Sequence, residues 1–316
     1  MVAAGLSPVY LSPAMADKKT IRPTVAYMLL ILCAALWGSN IAVGRYIHAD
    51  FSAETLAFYR NGVALTFMLL FIRPTWRQLW PTLKTHWAII VPAGLIGTAL
   101  FNFNLYSALQ TTTAVNGAIA MSLTPAVVPI ITYFMLGDRF AARQALGVAV
   151  SFIGVGIVLI RGDLNVLTSL DLTIGDLMAI GAMICWSYYS VLVKKRPDTV
   201  CPNPFLACLL TCAVGALLPF FIWQAVTSTI LPTNTMNLFA AAYIGLFPTL
   251  VALVLFNRSI DAVGPSAAGH FQHLVPVFAA TLGILFLGET LHAYHGAGAT
   301  LIAIGIYYAN SSAKTK

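Results

Sequence analysis

Of the 316 residues, 59% are apolar and only 9% are Asp, Glu, Lys or Arg, against roughly 25% charged in an ordinary soluble domain. So dry a composition excludes a soluble globular protein of this length, which would need far more charge to stay dispersed. The net charge of +7 does not point to a nucleic-acid partner either, because the basic residues recur in small groups between apolar blocks and not beside an RNA- or DNA-reading motif.

Residues 1–24 hold no apolar stretch behind a basic start and read as a cytoplasmic tail, not a cleaved signal peptide. Ten apolar blocks follow in chain order. The first five are Val25–Tyr46, Ala53–Ile72, Trp87–Leu109, Ala114–Leu136 and Ala145–Ile160. The second five are Asp176–Val193, Phe205–Val226, Asn237–Arg258, Pro265–Leu287 and Tyr294–Asn310. A lipid-exposed backbone must satisfy its own N–H and C=O groups, so each block is expected to be a helix. The runs lack the alternation of barrel strands. The expected class is therefore an all-α, polytopic membrane protein of ten transmembrane helices, with the lipid bilayer as its solvent.

The basic residues orient it. With both termini in the cytoplasm, about 14 of the Lys and Arg residues fall inside, among them Lys18, Arg73, Arg139, Lys194 and Lys314. About 3 fall outside or near outer helix ends, namely Arg45, Arg60 and Arg161. A bias this strong supports the ten-helix reading and an inner (plasma) membrane location. The loops are too short for an extramembrane domain, so the work is done within the bilayer.

Sliding the chain over itself by 151 residues aligns Gly94–Gly154 without a gap. Gly94 meets Gly245, Thr98 meets Thr249, Pro125 meets Pro276, and Leu136–Gly137–Asp138 meets Leu287–Gly288–Glu289. The expected organisation is a five-helix repeat over 25–162, an external linker at 163–175, a second repeat over 176–310 and a cytoplasmic tail at 311–316. Five is odd, so the second copy is inverted, a device of secondary transporters.

The tandem Pro-to-Leu-Gly-Asp/Glu segments (Ser122–Arg139 and Leu274–Thr290), the Trp-Gly-Ser-Asn turn at Trp37–Asn40 and Arg60 in the second helix carry a resemblance. They resemble the two EamA domains of the drug/metabolite transporter superfamily, over nearly the whole chain. The resemblance implies a ten-helix fold around a central cavity and, frequently, export of amino acids or related metabolites. Phosphate-ester transporters share that fold, but no cluster of intramembrane Lys or Arg is present here to clamp phosphate.

Polar side chains at membrane depth are costly and usually face a cavity or another helix. Trp37, Tyr59, Tyr106, Trp186 and Tyr189 are candidates for the flat walls of a substrate cavity, and Asn40, Asn102, His270 and His273 for its hydrogen bonds. The same Asn and His residues also serve as interhelical glue in membrane bundles, and Trp and Tyr as interface belts. Arg60, a gating or coupling candidate, is expected to pair with Glu54 or with helix carbonyls before it touches a solute. Pro125 and Pro276 are expected mid-helix, kinking the fourth and ninth helices alike to shape gates.

The pairs His270/His273 and His292/His295 lack a carboxylate or thiolate to complete a metal site, and the five cysteines lack zinc-site spacing. Neither a metal nor a cofactor is implied. The first helix has no acidic residue at its middle, where small multidrug transporters of the superfamily carry their proton-coupling Glu. Stripes of small residues at Gly147, Ser151 and Gly154 and at Gly298 and Gly305 read as close packing, within the protein or between two copies of a homodimer. An intramembrane enzyme is the alternative class. Gly-x-Ser-x-Gly, His-Glu-x-x-His and the ATP-binding loop are all missing. A secondary transporter for a small neutral or zwitterionic solute is the expected function.

Overall fold

The computed structural model of the chain describes residues 21–114, 117, 124–137, 142–160, 162–163, 173–197, 200–227, 234–263 and 271–310. Among these the secondary structure is helical throughout, without strands. The first half runs α1 (Pro23–Tyr46), α2 (Ala53–Phe71), α3, α4 (Thr124–Leu136) and α5 (Ala142–Leu159). The second runs α6 (Ile174–Lys194), α7 (Pro202–Thr227), α8, α9 (Leu274–Leu287) and α10 (Ala293–Asn310). Helix α3 comprises Leu79–Gly94, a π-helical turn Leu95–Leu100 and Phe101–Thr111; α8 comprises Thr235–Ile244, a π-helical turn Gly245–Val251 and Ala252–Val263.

Local chemistry sets the ends. Pro23 stands at the first turn of α1, where its missing N–H breaks no bond. Ser52 caps α2 by accepting from Thr55 N at 3.3 Å, and Asn234 caps α8 by accepting from Met236 N at 2.9 Å. Thr173 and Asp176 form a reciprocal capping box on α6. Asp176 Oδ1 also accepts from Thr112 Oγ1 at 3.1 Å, which ties the end of α3 to the start of α6.

Among the described residues, five stretches are long and apolar enough to cross a membrane by length and composition: Pro23–Tyr46, Thr75–Thr111, Ile174–Val193, Pro202–Thr227 and Thr235–Phe256. Large apolar side chains such as Phe134, Trp223, Val226 and Phe286 point outward, as lipid-facing residues must. The chain is an all-α, multi-pass membrane protein. Its third helix starts earlier than its composition suggests. Lys84 and His86 break the apolar run before Trp87, yet the helix passes through them with a kink at His86 (φ −117°, ψ 22°).

The halves pack as equivalent partners. Exchanging α1–α5 with α6–α10 turns the α1–α9 contact into α6–α4, α1–α8 into α6–α3, and α3–α7 into α8–α2, and all of these contacts exist. The pairs α2–α7 and α5–α10 map onto themselves and lie on the pseudo-two-fold axis. Gly137 and Gly288 both adopt positive φ, 72° and 68°, so the repeated Leu-Gly turn is conserved in geometry as well as in letters.

The small-residue stripes meet each other inside one chain. A Cβ on Gly154 would stand 2.7 Å from Gly298 O, and Ser151 Oγ donates to Ile302 O at 3.4 Å. That face is spent on the α5–α10 contact. Glu289, at the α9–α10 turn, accepts from Ala114 N at 2.8 Å and laces the halves together.

Candidate functional site

Where α1, α2, α3 and α8 meet, a chain of polar side chains crosses the bundle. Arg60 on α2 donates from Nε to Thr249 Oγ1 at 2.6 Å and from Nη1 to the Tyr106 hydroxyl at 3.1 Å. Tyr106 in turn donates to Asn40 Oδ1 at 2.8 Å. Thr249 donates to Ile244 O at 2.9 Å. Each hydroxyl accepts from the guanidinium and passes its own proton onward, so both remain neutral. Arg60 is 6% exposed, and Asn40, Tyr106 and Thr249 are equally buried.

One register step away lies a second rung. Asn61 donates from Nδ2 to Ala57 O at 2.7 Å, leaving its Oδ1 to accept from Asn102 Nδ2 at 3.4 Å. Asn102 is 1% exposed, and its Oδ1 is buried with no hydrogen-bond partner.

Beside the polar rungs stands an aromatic wall. Trp186 on α6 lies 6.0 Å from Trp37, 5.2 Å from Phe101 and 5.1 Å from Tyr189, between ring centroids. Phe256 closes on Trp37 at 5.1 Å. Trp37 Nε1 donates to Pro248 O at 3.0 Å. The π-turn of α8 thus serves both groups, offering a carbonyl to Trp37 and, one residue on, a hydroxyl to Arg60. Gly97, in the π-turn of α3, lies flush under Tyr189, where any Cβ would overlap the ring's root.

The sequence candidates Trp37, Asn40, Asn102, Tyr106, Trp186 and Tyr189 therefore converge, and Arg60 joins them. Tyr59 does not. It faces the other side of α2, against Phe51 at 5.9 Å and Phe221 at 5.7 Å. Arg60, expected on Glu54 or on helix carbonyls, instead engages two hydroxyls from α3 and α8. The reason is direction: Glu54 lies in the first turn of α2, too far round the helix to meet Arg60.

His270 lies outside the described residues. His273 belongs to a 3-10 turn, Phe271–His273, ahead of α9 and not within it. Pro276 consequently falls in the first turn of α9, where a proline costs no helical bond, so the mid-helix kink expected there is replaced by a helix start. Pro125 is the second residue of the described part of α4, and residues 118–123 before it lie outside the described residues. Among the described residues, matched mid-helix irregularities do occur at the π-turns of α3 and α8.

Thr249, Asn61, Phe101 and Phe256 escaped the sequence reading. Thr249 alone carried a signal, its identity with Thr98 in the repeat. Thr98 makes the matching bond, Oγ1 to Ala93 O at 3.4 Å, just as Thr249 bonds five residues back. Among the described residues, no group of three or more His, Cys, Asp or Glu is placed to hold a metal.

A multi-pass helical membrane chain with two equivalent halves and a polar, aromatic-walled centre has the build of a membrane transporter. The model of the EamA-like transporter family matches residues 24–160 and 173–311, one match per half, and the chain belongs to that family. It is 27% identical to the uncharacterized transporter YyaM of Bacillus subtilis, with 90% of this chain and 93% of that one covered. It is 23% identical to an uncharacterized transporter of Archaeoglobus fulgidus, covering 89% and 96%. A solved crystal structure with 15% identity shares the fold at a TM-score of 0.59, covering 91% of this chain and 96% of that one.

Proposed function

We infer that this transporter is a secondary one, exporting a small neutral or zwitterionic metabolite such as an amino acid by alternating access through the centre of the bundle. The observation that carries the reading is the placement of the buried polar rungs and the aromatic wall on helices from both halves: α1, α2 and α3 from one, α6 and α8 from the other. A solute held there touches both repeats, so relative movement of the halves exposes it to one side or the other. The aromatic wall suits apolar portions of a solute, and the few hydroxyls and amides fix its polar end. Among the described residues the site carries a single cation, Arg60, which disfavours phosphate esters needing several. The setting is the inner (plasma) membrane, with both termini cytoplasmic, as the basic-residue bias supports.

The test is counterflow. Purified protein in liposomes is preloaded with each of the twenty common amino acids in turn and offered the same amino acid radiolabelled outside. Saturable, ATP-independent accumulation of at least one of them is expected. Uptake equal to that of empty liposomes for every amino acid, with sugar phosphates alone raising the thermal midpoint, refutes the reading.

A further inference from the structure

We propose that Arg60 anchors a carboxylate of the transported solute, while the Asn102 amide oxygen accepts that solute's ammonium; this rests on the transporter reading above. The first support is charge. A guanidinium stays protonated at any accessible pH, and an unpaired cation within a bilayer is expensive. Among the described residues no carboxylate pairs with Arg60, and its two hydrogen-bond partners are hydroxyls that keep their neutrality by donating onward. Were its task only to tie α2 to α3 and α8, a neutral donor would make the same bonds without burying a charge. The fork retains free N–H groups, whose planar spacing matches a carboxylate.

The second support is independent. Asn102 Oδ1 is an acceptor with no donor in a nearly fully buried position, a situation that native structures rarely leave unanswered. Its own amide nitrogen is committed to Asn61, so flipping the side chain only moves the deficit. Site and deficit are thus complementary: a cation lacking an anion, and an acceptor lacking a donor.

The third support is spacing. The Arg60–Tyr106 and Asn61–Asn102 bonds are successive rungs between α2 and α3, and residues 102 and 106 stand one turn apart, about 6 Å along the axis. With a hydrogen bond of about 2.8 Å at each end, a small zwitterion fits a gap on this scale. Phe101, adjacent to Asn102, leads to Trp186, where the solute's side chain lies. The second half offers no duplicate, since α7, the partner of α2, carries no charged residue.

Thr249→Asp sets a built-in carboxylate against Arg60 Nε, and Thr249→Asn sets its neutral isostere there. Both are compared in the counterflow assay, together with wild-type protein offered each transported amino acid, its carboxamide and its N-acetyl derivative. The panel includes carboxylate-free solutes, namely simple amines, glycerol and hexoses. The aspartate variant is expected to bind carboxylate-bearing solutes roughly 30-fold or more weakly than the asparagine variant and to melt at a higher temperature. Wild-type protein is expected to lose a similar factor on the carboxamide.

Equal affinities of the two variants, or equal transport of acid and carboxamide, overturn the proposal. If the aspartate variant does not fold, the wild-type comparison with carboxamides decides alone. Counterflow confined to carboxylate-free solutes overturns the anchor and leaves the transporter standing. No counterflow of any solute removes the transporter reading, and the anchor with it.

Discussion

The contact between α5 and α10 lies on the pseudo-two-fold axis, and its closeness depends on glycine. A Cβ on Gly154 would fall 2.7 Å from Gly298 O, whereas Gly156, two residues on, has nothing within 4 Å of the same position. Gly154→Ala and Gly156→Ala therefore gain the same helix propensity, about 1 kcal/mol, and differ only in the collision. To restore ordinary carbon–oxygen contact the helices must part by roughly 0.7 Å, and a gap of that size forfeits a quarter to a half of each dispersion well along the seam. With overpacking costs of about 1–3 kcal/mol, Gly154→Ala is expected to be about 2 kcal/mol less stable than Gly156→Ala. Reversible unfolding in mixed micelles, followed by tryptophan fluorescence, measures the difference. Gly298→Ala collides from the other side, since its Cβ would press on Val158 Cγ2 and meet Gly154 O at 2.7 Å. The double variant should cost less than the sum, because one displacement accommodates both methyls. Gly154→Ala and Gly156→Ala agreeing within about 0.5 kcal/mol would show that close approach is not what holds this pair.

Three further outcomes follow from single contacts. Gly44→Ala brings a methyl to 2.9 Å from Tyr106 Cε1, which must turn the ring and lengthen the Asn40–Tyr106–Arg60 chain; transport affinity should fall several-fold, and an unchanged affinity removes that chain from the site. Trp37→Phe keeps the aromatic wall but deletes the bond to Pro248 O, costing about 1 kcal/mol in thermal unfolding, whereas Trp37→Ala should cost about 3 kcal/mol or more. Asp176→Asn weakens both the capping box and the Thr112 bond, with an expected loss of about 1–2 kcal/mol; a neutral result would mean that the α3–α6 junction is held elsewhere.

Much of the fold was legible because lipid enforces a simple rule. Every apolar run had to be a helix, and the ends of α1, α2, α6 and α7 fall within a few residues of the composition boundaries. The repeat was legible from Gly, Pro and acid matches, and the positive φ at Gly137 and Gly288 is the physical reason those glycines match. Where the reading failed, the cause was backbone geometry without a compositional mark. A π-turn adds one residue to a helical turn while keeping the same apolar letters, so Leu95–Leu100 and Gly245–Val251 are invisible to hydropathy. Conversely, Pro276 looked like a kink only because the apolar run extends upstream to Pro265, while the α-helix begins at Leu274.

The site was half legible, for a related reason. Polar letters inside apolar runs picked out Asn40, Arg60, Asn102 and Tyr106, but not which of them touch. Helix spacing placed Asn102 and Tyr106 on one face; only packing sets that face against Arg60 and Asn61. Thr249 shows the limit best. Threonine commonly bonds a carbonyl of its own helix, and Thr98 in the first half does only that. The π-turn shifts the bond to the carbonyl five residues back and turns the oxygen lone pair toward α2, where Arg60 finds it. A duplicated turn thus acquired a single-sided role through one residue on the facing helix. The scaffold is symmetric and its charge is not: Arg60 on α2 has no charged counterpart on α7. Under the alternating-access proposal, exchange of conformations between the halves moves α8, with Thr249 and Pro248, against Arg60 on α2 and Trp37 on α1.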